Sequence, residues 1–149
     1  MLVFAYGSNM DDAQLKKRCP NAAFVGIAAL RGYQLCFPRL SKNRGCGVSS
    51  VIQAIGHDVW GVVHRLNKED LASLDREEGF RSDRPAESNG YNRMPISVEM
   101  DGVPTDVETY IAVATANPPP PTREYLDLIR SGARHHGLPD AYQALLAAL

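Results

Sequence analysis

Cysteine is scarce in this chain: three residues in 149, Cys19, Cys36 and Cys46, an odd number with no Cys-x-x-Cys spacing. That excludes a disulfide framework and a zinc knuckle as the organising device, and it fits a reducing, cytoplasmic setting. Neither sign of charge is in surplus. Sixteen Lys and Arg against 17 Asp and Glu leave a formal net charge of -1, so the basic excess that phosphate backbones demand is missing and no nucleic acid is expected as partner. No apolar run reaches the ~20 residues of a membrane span. The N-terminal run "LVFAY" has no basic segment before it and stops at Tyr6, so it reads as a first strand and not as a signal peptide. Gly-x-Ser-x-Gly elbows, phosphate loops, dinucleotide fingerprints and internal repeats are all missing. His57-Asp58, His64 and His135-His136 match no zinc spacing, and the last pair falls at a helix end that favours cations, so no metal or other cofactor is expected.

What is present is an ordinary globular composition, 44% hydrophobic and 22% charged, at the length of a single domain. Residues 2–6 suit a buried strand, which "YGSN" stops. Gly7 can take backbone angles closed to other residues, and Ser8, Asn9 or Asp11 can cap the helix that "MDDAQLKKRC" announces. A strand passing through such a turn into a helix leaves several N–H groups unpaired and pointing one way, as an anion site does; the plainer reading is a helix cap alone. "KKR" at residues 16–18 reads as the solvated end of that helix, closed by Pro20.

Further on, "AAFVGIAALRGYQLCF" reads as two strands hinged at Arg31-Gly32, and "RLSKNRGCG" as a loop. "VSSVIQAI" and "VWGVVHRL" read as strands separated by a "GHD" turn. "NKEDLASLDREEG" is a helix capped by Asn67, with Asp70 placed as in a capping box and Gly79 as the stop. "YNRMPISVEM" and "PTDVETYIAVA" flank Asp101-Gly102, a hairpin signal. Prolines 118–121 stiffen a linker before two terminal helices divided at Gly137-Leu138-Pro139. Six or seven strands with few helices predict an α+β domain around a mixed sheet or small barrel.

One carboxylate stands out. Leu71 and Leu74 mark the apolar face of their helix, and the same spacing continues to Glu78, which turns inward, while Glu77 projects about 100° away into water. Burial and the C-terminal helix dipole both raise the pKa of Glu78, as suits a group that takes and returns protons near neutral pH. If the helix end frays, Glu78 rotates outward instead. Ser8 has no histidine nearby in sequence to activate it, and Cys36 and Cys46 read as small core residues.

Taken together and in this order, "YGSNM", "VWGVVHRLNKEDLASLDREEG" and "ARHHGLPDAYQALL" resemble the gamma-glutamylcyclotransferase family, also called AIG2-like, over nearly the whole chain. The resemblance implies one domain, residues 1–149, with an α+β fold: a small mixed β-barrel with flanking helices. It implies an enzyme that closes the γ-glutamyl group of a γ-glutamyl amino acid or amine into 5-oxoproline and releases the amine, without metal or other cofactor. The family's catalytic glutamate falls on Glu78, its substrate loop on Tyr6, Gly7, Ser8, Asn9 and Met10, and a tyrosine of its later strands on Tyr110; Tyr91 is a further expected cavity residue. The polar stretch "GFRSDRPAESNG" is longer than the family's usual connection and is expected to border the pocket and tune the leaving amine. The alternative is a non-catalytic module of the same fold that binds a small acidic ligand. A carboxylate at position 78 disfavours it, because it would repel such a ligand.

Overall fold

The first strand, β1 (Leu2–Ala5), passes through one 3-10 turn (Ser8–Met10) into α1 (Asp12–Arg18) in a computed structural model that describes residues 1–149. Of the three candidate caps, Asp11 takes the role: its carboxylate accepts from the Gln14 N–H at 2.9 Å.

Strands β2 (Ala23–Ser41) and β3 (Cys46–Arg65) are much longer than the turn signals suggest. The expected hinge at Arg31-Gly32 and the expected turn at Gly56-His57-Asp58 both lie inside continuous strands. Gly32 and Gly56, at φ +78 and +84, hold a bulge instead: Arg31 pairs with Asp58 and Tyr33 with Gln53, so residues 54–57 sit opposite Gly32 alone. The turn chemistry is real, but the ladder resumes beyond it, and the ribbon bends without ending. Of the expected loop "RLSKNRGCG", only residues 42–45 leave the ladder, since Arg39, Leu40 and Ser41 pair with Val48, Gly47 and Cys46. The barrel therefore has five strands, not six or seven.

Helix α2 (Lys68–Glu78) begins at Asn67, which accepts from the Asp70 N–H at 2.8 Å, and stops at Gly79 in the left-handed conformation (φ 71, ψ 34). Asp70 does not complete a capping box. Its Oδ2 accepts from the Asn21 N–H at 2.8 Å and so fastens α2 to the segment after α1. The hairpin of β4 (Tyr91–Met100) and β5 (Val103–Ala112) turns at Asp101 (φ 49) and Gly102 (φ 77), two left-handed residues as a tight hairpin needs.

The strand order β1-β3-β2-β4-β5 closes on itself. Every pairing is antiparallel except β1 with β5, which meet in parallel at Val3↔Glu108. Phe4, Leu30, Val62, Val63 and Val107 pack with Ile129 of α3 (Arg123–His135) and Leu146 of α4 (Asp140–Ala147) in the main core. A second cluster of Val3, Leu15, Cys19, Leu66, Leu74 and Tyr110 joins α1 to α2. Burying Leu74 contributes on the order of 2 kcal/mol. Its larger effect is positional, because this cluster brings the end of α2 to the beginning of α1. No helix is long and apolar enough to cross a membrane.

Candidate active site

The Tyr-Gly-Ser-Asn turn is held from three sides. Tyr6 is buried and its hydroxyl donates to the Tyr110 carbonyl. Gly7 lies so close to β3 that a Cβ there would collide with Ser49 Oγ. Its φ is -111, so glycine is required by this approach and not by a left-handed backbone. Met10 is fully buried in the main core, against the backbone of Gly132; its side chain anchors the turn and lines neither of the two pockets beside Glu78, although the resemblance places it in the substrate loop. The N–H groups of Gly7, Ser8 and Asn9 donate to nothing within the protein, whereas those of Met10 and Asp11 bond to the Gly7 and Ser8 carbonyls at 3.0 Å.

Glu78 closes the other side. Its helix buries Leu74, and the Glu78 side chain is only 15% exposed, whereas Glu77 is 52% exposed. Asn9 Nδ2 donates to Glu78 Oε1 at 2.8 Å, and Arg18 Nη1 stands 3.7 Å from the same oxygen. Asn9 Oδ1 in turn accepts from Gln14 Nε2 at 3.0 Å and Arg18 Nη1 at 2.9 Å, and Gln14 Nε2 also donates to Ser8 Oγ at 2.9 Å. Burial raises the Glu78 pKa; Arg18, the Asn9 hydrogen bond and Arg44 draw it back, and Glu77 pushes it up. The direction agrees with the sequence reading. The opposing cations are a structural finding: Arg18, expected at a solvated helix end, turns instead towards Glu78.

Between the turn and Glu78 lies a narrow cavity of about 50 Å³, lined by Tyr6, Gly7, Ser8, Asn9, Ser49, Glu78, Tyr91, Tyr110 and Tyr125 together with Phe4 and Ala5 of β1. Every expected site residue except Met10 is therefore brought to one place. The phenols are engaged: Tyr91 donates to the Ser49 carbonyl at 2.6 Å, Tyr110 to Asp75 Oδ1 at 2.6 Å, and Tyr125 meets Ser49 Oγ at 2.8 Å. Burial raises the pKa of all four tyrosines, so they stay neutral. Tyr110 offers the cavity its ring, since its hydroxyl serves Asp75, which also pairs with Arg93 at 2.9 Å.

The family described as "Gamma-glutamyl cyclotransferase, AIG2-like" matches residues 3–132. The chain belongs to this family. Among curated relatives, the gamma-glutamylcyclotransferases of Mus musculus and Homo sapiens are each 33% identical over 153 aligned residues, covering 99% of this chain and 78% of theirs. A solved structure of a gamma-glutamyl cyclotransferase superposes with a TM-score of 0.89 at 32% identity, covering 100% of this chain and 87% of the other.

In this cyclotransferase-family chain the narrow cavity opens, past Ser8, Glu78, Tyr91 and Tyr125, into a chamber of about 550 Å³. The expected wall of that chamber, the stretch after Glu78, is not there. Only Gly79 and Gly90 of that stretch reach it, because Arg81 pairs with Asp83 and Arg84 folds back on Asn89 and the Gly79 carbonyl. The wall is built by residues 39–44 at the β2–β3 turn, with Arg76 and Glu77. Sequence reasoning missed Gln14, Arg18, Ser49 and Tyr125; the first two carry a weak signal, at positions 3 and 7 beyond the cap Asp11 on the helix that follows the turn. Elsewhere, His135 and His136 both meet Asp12, at 3.0 and 2.8 Å, and tie the end of α3 to the start of α1.

Proposed function

We infer that this chain is a gamma-glutamylcyclotransferase acting on a small γ-glutamyl amino acid or amine, with Glu78 as its proton carrier. The observation that carries the assignment of the site is the position of a buried carboxylate across a narrow cavity from three unengaged N–H groups. In the reaction the glutamyl α-amine attacks its own γ-carbonyl carbon, a C–N bond forms, and a five-membered lactam closes. The original amide C–N bond then breaks and the amine departs. Nucleophile and electrophile belong to one molecule, so holding the folded conformer supplies roughly 7–11 kcal/mol of the barrier.

The attacking amine must lose a proton and the leaving nitrogen must gain one. A free α-amine has a pKa of about 7.7–8.0, so a carboxylate with a raised pKa is a matched acceptor. Glu78 takes the proton through Oε2, which has no protein partner, and returns it to the departing nitrogen, leaving no net charge change on the protein. The N–H groups of Gly7, Ser8 and Asn9 suit a negative oxygen, either the substrate α-carboxylate or the developing oxyanion. Three free cysteines agree with a cytoplasmic setting.

Incubation with a panel of γ-glutamyl dipeptides and amines, followed by mass spectrometry, tests the reading. Release of 5-oxoproline is expected; binding without release across the panel would assign the chain to the non-catalytic module.

A further inference from the structure

The chamber outside Glu78 carries more positive charge than the tuning of Glu78 by Arg18 and Arg44 accounts for. Its wall bears five cations, Arg18, Arg39, Lys42, Arg44 and Arg76, against the carboxylates Glu77 and Glu78, on a chain of net charge -1. Both carboxylates lie beside Arg18, at 3.9 and 3.7 Å. Arg39, Lys42, Arg44 and Arg76 have no salt-bridge partner. Arg93 and Arg31, by contrast, are each paired with two carboxylates on the protein itself.

Two of the unpaired guanidinium groups are held in place. Arg44 Nη2 donates to Gln14 Oε1 at 2.7 Å and its guanidinium lies 5.0 Å from the centre of the Tyr125 ring, at the junction of cavity and chamber. Arg39 Nη1 donates to the Val113 carbonyl at 2.9 Å. Each is fixed along one edge and keeps the remaining donors of its fork for a planar anion, with little side-chain freedom left to lose. Lys42 is exposed at the rim. The inner cavity, at about 50 Å³, is too small for a whole γ-glutamyl amide, so with the glutamyl group beside Glu78 the leaving amine extends into this chamber.

We propose that the chamber selects γ-glutamyl substrates whose leaving amine bears two or more negative charges, an acidic amino acid or acidic peptide, with Arg39 and Arg44 as specificity residues and Lys42 at the rim. The proposal rests on the cyclotransferase reading. It is tested by kcat/KM for 5-oxoproline release from γ-glutamyl-glutamate, γ-glutamyl-alanine and γ-glutamyl-butylamide, which present two, one and no charges beyond the scissile bond. The expected order follows charge, in steps of about tenfold for each charge-assisted contact, and the steps shrink as salt is raised. Lys42→Glu, at an exposed position without a partner, and Arg39→Gln should each lower the glutamate-to-butylamide ratio within the same protein preparation. Equal kcat/KM on the three substrates, or a ratio unmoved in both variants, overturns the proposal and leaves the enzyme reading standing. No 5-oxoproline from any of the three removes the enzyme reading and the proposal together.

Discussion

The Asn9 side-chain amide donates to Glu78 Oε1 at 2.8 Å, and the direction of that bond is set by the other end of the amide. Asn9 Oδ1 accepts from both Gln14 and Arg18, so a flip would cost those two hydrogen bonds as well as the one to Glu78. Oε1 is thereby occupied, and Oε2 is the oxygen open to a proton. A turn residue thus orients a helix-terminal carboxylate 69 positions further along the chain.

Glu78→Gln retains size and the bond from Asn9 but cannot carry a proton. Turnover is expected to fall roughly 10²- to 10⁴-fold, with ligand binding kept. Stability should be unchanged or higher: burial lifts the folded-state pKa above the unfolded one, so as pH rises through the carboxylate range the unfolded chain ionises first and the parent loses stability relative to the variant. Denaturant melts from about pH 4 to pH 8 and the 5-oxoproline assay read both effects. Cyclisation at the parental rate would sink the mechanism.

Arg18→Gln removes the leading influence that favours the charged form of Glu78. The Glu78 pKa then rises further, and the acidic limb of the kcat/KM profile moves to higher pH, with activity regained on the alkaline side. A uniform loss at every pH would mean that Arg18 acts on folding or binding and not on the proton.

Ser8→Ala loses one acceptor for Gln14 and should cost about 1 kcal/mol. Gly7→Val should be much worse for kcat, since its side chain must displace Ser49 Oγ and with it Tyr125. Near-normal turnover in purified Gly7→Val would exclude the N–H cradle.

His64 is buried beside His136 and Phe24, and burial, aided by His136 and opposed by Asp12, lowers its pKa to about 4. Its neutral form is the one the fold accommodates, so its contribution is complete above the ordinary histidine range and is lost as pH falls from about 6.5 towards 4, up to about 3 kcal/mol in all. His64→Leu should flatten that part of the stability profile; an unchanged slope would place the acid sensitivity elsewhere.

Elements with local signals were legible in the sequence. Asn67 and Gly79 bound α2, Asp101-Gly102 turns the hairpin, and the spacing of Leu71, Leu74 and Glu78 turns the carboxylate inward. Gly7 was the right residue for a different reason, a close approach to a strand more than forty residues away that no local pattern encodes. The same holds for Gly32 and Gly56, whose turn chemistry is read correctly but whose ladder continues because a partner strand lies alongside. Arg18 could not be separated from Lys16 and Lys17 by composition, and only the packing of α1 on α2 directs it to Glu78. Met10 belonged to the expected substrate loop because it follows the turn, yet the core claims its side chain.

The parallel seam between β1 and β5 has a consequence for synthesis on the ribosome. Tyr6 finds its acceptor 104 residues later, at Tyr110, and Ser49, which abuts Gly7, finds its phenol at Tyr125. A nascent chain that has already released both "YGSN" and Glu78 still lacks β5 and α3, and its cavity has no far wall. Contacts of such long sequence separation form late and slowly, so a chain truncated between Glu78 and α3 carries the carboxylate without the enclosure that shifts its acidity.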